Sequence, residues 1–216
     1  MNSSVWESTL EQFRDQVASR QPVPASACVA AVSATLAINL LIKVLEITAN
    51  KKGGAGDLDR IATLLDAAKT LSARLARYAD EDVAAFNAYL KSAKLPKSHD
   101  AERDKRKRTI DAALQQVIQL PFQAAGSAAT GIELCADAIG LVPKSLIADL
   151  GAAVTLLAGA VRGLMVSAEF NIRQLADDQE AYHQITAQLA DLEREVLKRG
   201  NSIRRQVASI IAGEDQ

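Results

Sequence analysis

Residues 72–91, SARLARYADEDVAAFNAYLK, place Leu75, Ala79, Phe86 and Leu90 on one face at the three-and-four spacing of an α-helix, with Asp82 set into the same stripe. The stretch reads as part of one long helix. An ionised carboxylate within an apolar stripe must be paired, neutralised or used, because an isolated buried charge is strongly disfavoured. Asp82 therefore has two readings. It is a general acid or base whose pKa is raised by desolvation, or a buried aspartate paired with Lys or Arg from a neighbouring helix. Leu95-Pro96-Lys97 follows, where the proline restricts the backbone of a turn. Lys97 is then aimed at a ligand carboxylate or a developing negative charge, or is a surface lysine.

Outward from this stretch, helical periodicity continues almost everywhere. It is punctuated at Pro22 to Pro24, Gly53 to Gly56, Pro96, Pro121, Gly140 to Pro143 and Gly200. The pattern predicts an all-α bundle of about seven helices near 4–19, 25–50, 57–92, 100–119, 121–139, 145–178 and 180–212. No run alternates as a strand should, and no linker separates two units, so residues 1–216 read as a single helical domain. The long helices 57–92 and 145–178 form the spine of a bundle or extend into a partner subunit, and a homodimer is expected. The last segment carries Leu189, Leu192, Val196, Ile203, Val207, Ile210 and Ile211 among mixed charges, for packing on one surface. Its register breaks at Gly200-Asn201, which can divide it into two helices.

The 216 residues are 49% hydrophobic but only 4% aromatic, so the core is built from Ala, Leu, Val and Ile, and small side chains imply closely packed helices. With 25 basic and 26 acidic residues there is no global attraction to nucleic acid or to an anionic membrane. Cys28 and Cys135 form no CxxC pair, and His99 and His183 are isolated. Neither a disulfide framework nor a metal cluster is indicated, and a reducing cytoplasm is the expected compartment. Met1 to Glu11 has no signal-peptide pattern. The run Ala27–Ile42 reads as too short for a membrane span, and Leu146–Val166 is interrupted by Asp149 and Arg162. Arg103 and Lys105 to Arg108 form a basic cluster diluted by Glu102, Asp104 and Asp111, without aromatics for base stacking. It reads as a solvated helix face or as a local attractor for an anion.

Two further polar groups interrupt apolar faces. Asp149 lies with Leu146, Ala153, Leu156 and Ala160, and Asn171 with Ser167, Ala168 and Leu175. Each reads as a contact to the donor and acceptor edge of a ligand. The structural alternatives are a helix N-terminal charge for Asp149 and a helix-to-helix hydrogen bond for Asn171.

The order of short motifs adds to this reading. Val17-Ala18-Ser19 leads into Pro22-Val23-Pro24. Thr48 with Lys51-Lys52, Asp82 to Phe86, Leu95-Pro96-Lys97, Pro121, Asp149-Leu150-Gly151 and Asn171-Ile172 then follow. In this order, from Phe13 to Asp177, the chain resembles the cyclodeaminase/cyclohydrolase family, the folate-handling domain at the carboxyl end of formiminotransferase-cyclodeaminase and its stand-alone bacterial relatives. The resemblance implies an all-helical dimer acting on tetrahydrofolate that carries a one-carbon unit. The reaction is either hydrolysis of 5,10-methenyl to 10-formyltetrahydrofolate or cyclisation of the 5-formimino compound with loss of ammonia, with no metal or redox cofactor. It further implies that Asp82 manages a proton while Lys97 and Asp149 position the pterin or the reacting carbon, and that Pro24, Ser26, Cys28, Asp149 and Asn171 contact the substrate. A chain without a formiminotransferase-like region leans towards the methenyl hydrolase.

Some residues depart from the family pattern. Pro24-Ala25-Ser26-Ala27-Cys28 stands where a run of glycines and a serine is expected, with Ser26 as a potential N-cap and Cys28 in place of the hydroxyl. Pro143 to Ala148 stands where an asparagine-rich stretch and serine are expected, and Ser167 where another asparagine is. These departures leave open a non-catalytic descendant that binds folate. A helical interaction protein without a folate role is a further alternative.

Overall fold

The computed structural model describes residues 4–51, 57–173 and 179–214. Lys52, Gly53 to Gly56 and the 174–178 end of the sixth expected helix lie outside the described residues. Those described form a short 3-10 turn, Val5–Glu7, and six α-helices: α1 Leu10–Val17, α2 Ser26–Ala49, α3 Leu58–Ser92, α4 Asp100–Ala138, α5 Ile147–Ile172 and α6 Gln179–Ala212. A second 3-10 turn, Lys144–Leu146, leads into α5. No strand occurs among the described residues.

Helices α2 to α5 close a ring in which each packs on its sequence neighbour and α5 returns to α2, while α6 lies over α5 and α4. Small side chains make the close approach workable. Ala30, Ala34 and Ala37 of α2, Ala124 and Ala128 of α4, and Ala153 and Ala160 of α5 are all core residues. Gly151 fixes the α5–α6 crossing, because a Cβ there would lie 2.9 Å from Val207 Cγ1. Valine is stiff about χ1 and has little room to yield. Gly151→Ala is therefore expected to destabilise the fold by about 1–3 kcal/mol, measured by denaturant unfolding.

Two expectations are corrected. The first helix, expected over 4–19, breaks at Ser8, because the Thr9 side chain accepts from the Gln12 N–H while Gln12 accepts from the Thr9 N–H, restarting the helix at Leu10. The helices expected at 100–119 and 121–139 are one helix, α4, with Pro121 inside it. The last segment is one helix, as expected over 180–212, and the register break at Gly200-Asn201 does not divide it. Gly200 sits where α6 passes Val154 and Ala158 of α5, so a missing side chain suits the packing.

The run Ala27–Ile42, read as too short for a membrane span, lies within α2, Ser26–Ala49, close to the 25–50 expected for that helix. Ser26–Ala49 and Lys144–Ile172 are long and apolar enough to cross a membrane by length and composition, and about half of each is buried inside the bundle. Among their apolar residues, Leu36 and Ile47 on α2 and Leu156, Val166 and Phe170 on α5 are exposed.

At the N-terminus, Asp80 accepts from Ser4 Oγ at 2.7 Å and the Val5 N–H at 2.8 Å, and Trp6 Nε1 donates to Ala76 O at 2.9 Å. Val5 and Phe13 then pack on Cys28, Ala31 and Ala79, sealing the α2–α3 seam. Beyond this seam α3 and α4 continue as a hairpin in which no residue of 80–91 or 100–116 is buried. Arg103, Lys105, Lys107 and Arg108 are exposed on it. Half-buried Arg106 instead donates through Nη2 to Ala93 O at 3.1 Å.

Candidate active site

A cavity of about 350 Å³ opens where α2 begins and α5 ends. Val23, Ala25, Ser26 and Ala27 form its floor, Asp82 and Phe86 of α3 with Val117 of α4 one wall, and Val166, Ser167, Phe170 and Asn171 of α5 the other. The lining is mostly apolar with a few convergent polar groups, the usual composition of a small-molecule site.

Asp82 holds the centre for a local reason. The residue preceding α2 is Ala25, which has no side-chain acceptor for the free amides of the first turn. The carboxylate comes instead from the neighbouring helix, where the Cys28 backbone amide favours the ionised form of Asp82. Partial burial in the cavity wall pushes the Asp82 carboxyl up to about 6, and the Cys28 amide opposes that rise. Among the described residues no Lys or Arg pairs with it. The group thus changes charge close to neutrality, which a proton-transferring carboxyl requires.

Ser26 lies in the first turn of α2 rather than at its N-cap, and its Oγ is 2.7 Å from Ser167 Oγ, joining α2 to α5 across the floor. Ser167 Oγ also donates to Gly163 O at 3.2 Å. Asn171 Nδ2 donates to Val117 O at 3.0 Å, the helix-to-helix bond weighed above.

The structure brings Asp82, Ser26 and Asn171 to one cavity, and places the other residues expected at the site elsewhere. The Cys28 side chain is fully buried against Ala31 and Ala79. Its thiol is pushed up to about 12 by burial and by Asp82 and Asp80, so Cys28 contributes a backbone amide and not a hydroxyl substitute. Pro24 lines a neighbouring groove with Val17, Val29, Leu156 and Gly163. Lys97 is exposed in the turn between α3 and α4, outside the cavity wall. Asp149 is ion-paired with Lys43 at 2.8 Å in the first turn of α5. Asn171 is near the other end of that helix, about 33 Å away at the helical rise of ~1.5 Å per residue.

Sequence reasoning passed over Phe170, Val166 and Val117 as site residues. Phe170 and Val166 are apolar yet largely exposed, and they form the rim. Phe170, beside Asn171 in a chain with few aromatics, was the available signal.

A helical bundle with a carboxyl of raised pKa in a mostly apolar cavity edged by hydroxyls and an amide has the composition of a small-molecule site and a group able to move a proton. The chain belongs to the formiminotransferase-cyclodeaminase family, whose profile matches residues 9–191. It is 26% identical over 191 residues to mouse (Mus musculus) formimidoyltransferase-cyclodeaminase, covering 87% of this chain and 35% of that protein. It thus spans about a third of the length of that relative. It is 27% identical over 169 residues to the methenyltetrahydrofolate cyclohydrolase of Methylorubrum extorquens, covering 78% of this chain and 81% of that one. A solved formiminotetrahydrofolate cyclodeaminase from Thermotoga maritima shares the fold, with a TM-score of 0.77 at 20% identity over 98% of this chain and all of that one.

Proposed function

We propose that the protein converts a one-carbon derivative of tetrahydrofolate, hydrolysing 5,10-methenyltetrahydrofolate to 10-formyltetrahydrofolate, with Asp82 moving the proton. The observation that carries this reading is a carboxyl raised to about 6 inside an apolar cavity, in a chain related to a cyclohydrolase over most of both lengths. Phe86, Val166 and Phe170 offer apolar surface to the pterin ring, and Ser26 and Asn171 offer hydrogen bonds to its edge. Asp82 as carboxylate takes a proton from water as the oxygen adds to the methenyl carbon, giving a carbinolamine. The bond from that carbon to N5 then breaks as Asp82 returns a proton to N5, the carbinol hydroxyl releases its own proton to solvent, and the formyl group remains on N10. These steps are proton transfers and need no redox cofactor.

Formimino cyclisation is the second reading, favoured by the names of the mouse and Thermotoga relatives. There the folate's N10 attacks the formimino carbon, its N–H proton passes to the imino nitrogen, and protonated Asp82 supplies the second proton with which ammonia leaves. The two reactions separate when the purified protein is given each folate against enzyme-free controls. Faster loss of methenyl absorbance identifies the hydrolase, and its gain with ammonia identifies the cyclodeaminase. Neither change, with the protein folded, rejects both.

We also propose a homodimer joined through the exposed apolar face of α2 and α5. Leu36 and Ile47 of α2 and Leu156 of α5 are each between 44% and 53% exposed, large apolar side chains on two adjacent helices that a second copy would cover. Leu36→Glu with Leu156→Glu is expected to convert a two-chain species into single chains in sedimentation. A wild type that sediments as a single chain at micromolar concentration rejects the dimer. The cytoplasm is the compartment we propose, in keeping with two buried free cysteines.

A further inference from the structure

Pro121 sits inside α4, where it has no N–H for the carbonyl four residues earlier, that of Val117. Val117 is buried, so this carbonyl needs a donor from elsewhere. Asn171 of α5 supplies it through Nδ2 at 3.0 Å. A carbonyl only accepts, so the amide orientation is fixed: nitrogen towards Val117 and oxygen away from it. Val117 and Asn171 both line the cavity.

We infer that Pro121 and Asn171 form a lock that positions the cavity wall, and that the lock turns Asn171 Oδ1 into the cavity as an acceptor for a ligand N–H. Asn171 is thus a positioning residue through its nitrogen and a ligand contact through its oxygen. The second half of this inference rests on the folate reading above. The break in α4 then has a use. An ordinary helical residue at 121 would satisfy Val117 with its own amide, and nothing would hold the Asn171 side chain in one orientation. This pairing also connects two sequence motifs, Pro121 and Asn171-Ile172, that are far apart in the chain.

The test is a double-substitution cycle read by both stability and ligand affinity. Asn171→Leu leaves the Val117 carbonyl unsatisfied and is expected to lower the melting temperature by about 2–8 °C. In a Pro121→Ala background, where residue 121 supplies its own N–H, the same substitution is expected to cost less than half as much. Affinity for 5,10-methenyltetrahydrofolate is expected to fall about 10-fold with Asn171→Leu and to stay low in the double variant, because the lost oxygen is not replaced. Equal stability losses in both backgrounds overturn the lock. Restored affinity in the double variant overturns the ligand contact and leaves Asn171 a packing residue. A wild type that binds none of the folate rejects the proposed substrate and the ligand contact with it, while the stability half of the cycle still decides the lock.

Discussion

Asp82→Asn is expected to lower turnover of the one-carbon folate by about 10²- to 10⁴-fold, the usual contribution of a positioned acid or base. The substitution is nearly isosteric. Asparagine keeps an oxygen towards the Cys28 amide, and the cavity keeps its shape. What disappears is the exchangeable proton. Ground-state binding should change much less than turnover, because the apolar walls and the polar groups Ser26 and Asn171 are untouched. Steady-state kinetics would therefore show the loss mainly in kcat, with KM within a few-fold of the wild type. An equal loss confined to KM would make Asp82 a binding group only.

The same variant is expected to be more stable than the wild type at neutral pH. The Asp82 carboxyl titrates near 6 in the fold against an ordinary value of 3.8, so the folded state holds its proton where the unfolded state has released it. Between about pH 4 and 6 the native chain binds more protons than the unfolded one, and stability falls as pH rises through this window. Above the window the wild type carries the whole cost of an ionised, desolvated carboxylate, about 2–3 kcal/mol at ~1.4 kcal/mol per pKa unit. Asp82→Asn removes that dependence. Its melting temperature should exceed that of the wild type by about 4–12 °C at pH 7.5 and converge with it near pH 4. A variant that loses activity and gains stability in this pH-dependent way marks a residue kept for chemistry and not for folding.

Asp82 and Asp149 show how far such a residue can be recognised from spacing. Both interrupt an apolar helical face, and the two have the same local signature. Asp149 is neutralised by Lys43 of α2 at 2.8 Å, whereas Asp82 meets a helix N-terminus and a cavity. The difference lies in which helix packs opposite, and periodicity along one helix carries no information about that. Lys97 was legible as a motif residue, but its position depends on how far α3 and α4 run past the bundle. The helices themselves were largely legible because their apolar faces repeat at the helical period.

The two helix errors have different physical origins. The break before α1 was readable in the Thr9 and Gln12 pair, a local capping box. Pro121 was read as a helix boundary because proline normally ends or kinks a helix. Here the freed carbonyl of Val117 finds its donor in Asn171, more than fifty residues later in the chain. That is a tertiary solution to a local defect, and it is visible only once α4 and α5 are side by side. The departures at Ala25, Ala27 and Cys28 likewise gain meaning only in three dimensions. The Cys28 side chain points into the α2–α3 seam, while its backbone amide faces Asp82.

The most direct test of the site is the rate of 5,10-methenyltetrahydrofolate conversion from pH 5 to 8, measured for the wild type and Asp82→Asn and corrected for the enzyme-free rate. Asp82 acting as a base from a raised pKa predicts a wild-type kcat/KM that falls as pH drops through about 6, and a variant with almost no rate at any pH. Wild-type and variant rates that coincide across the whole range would contradict it.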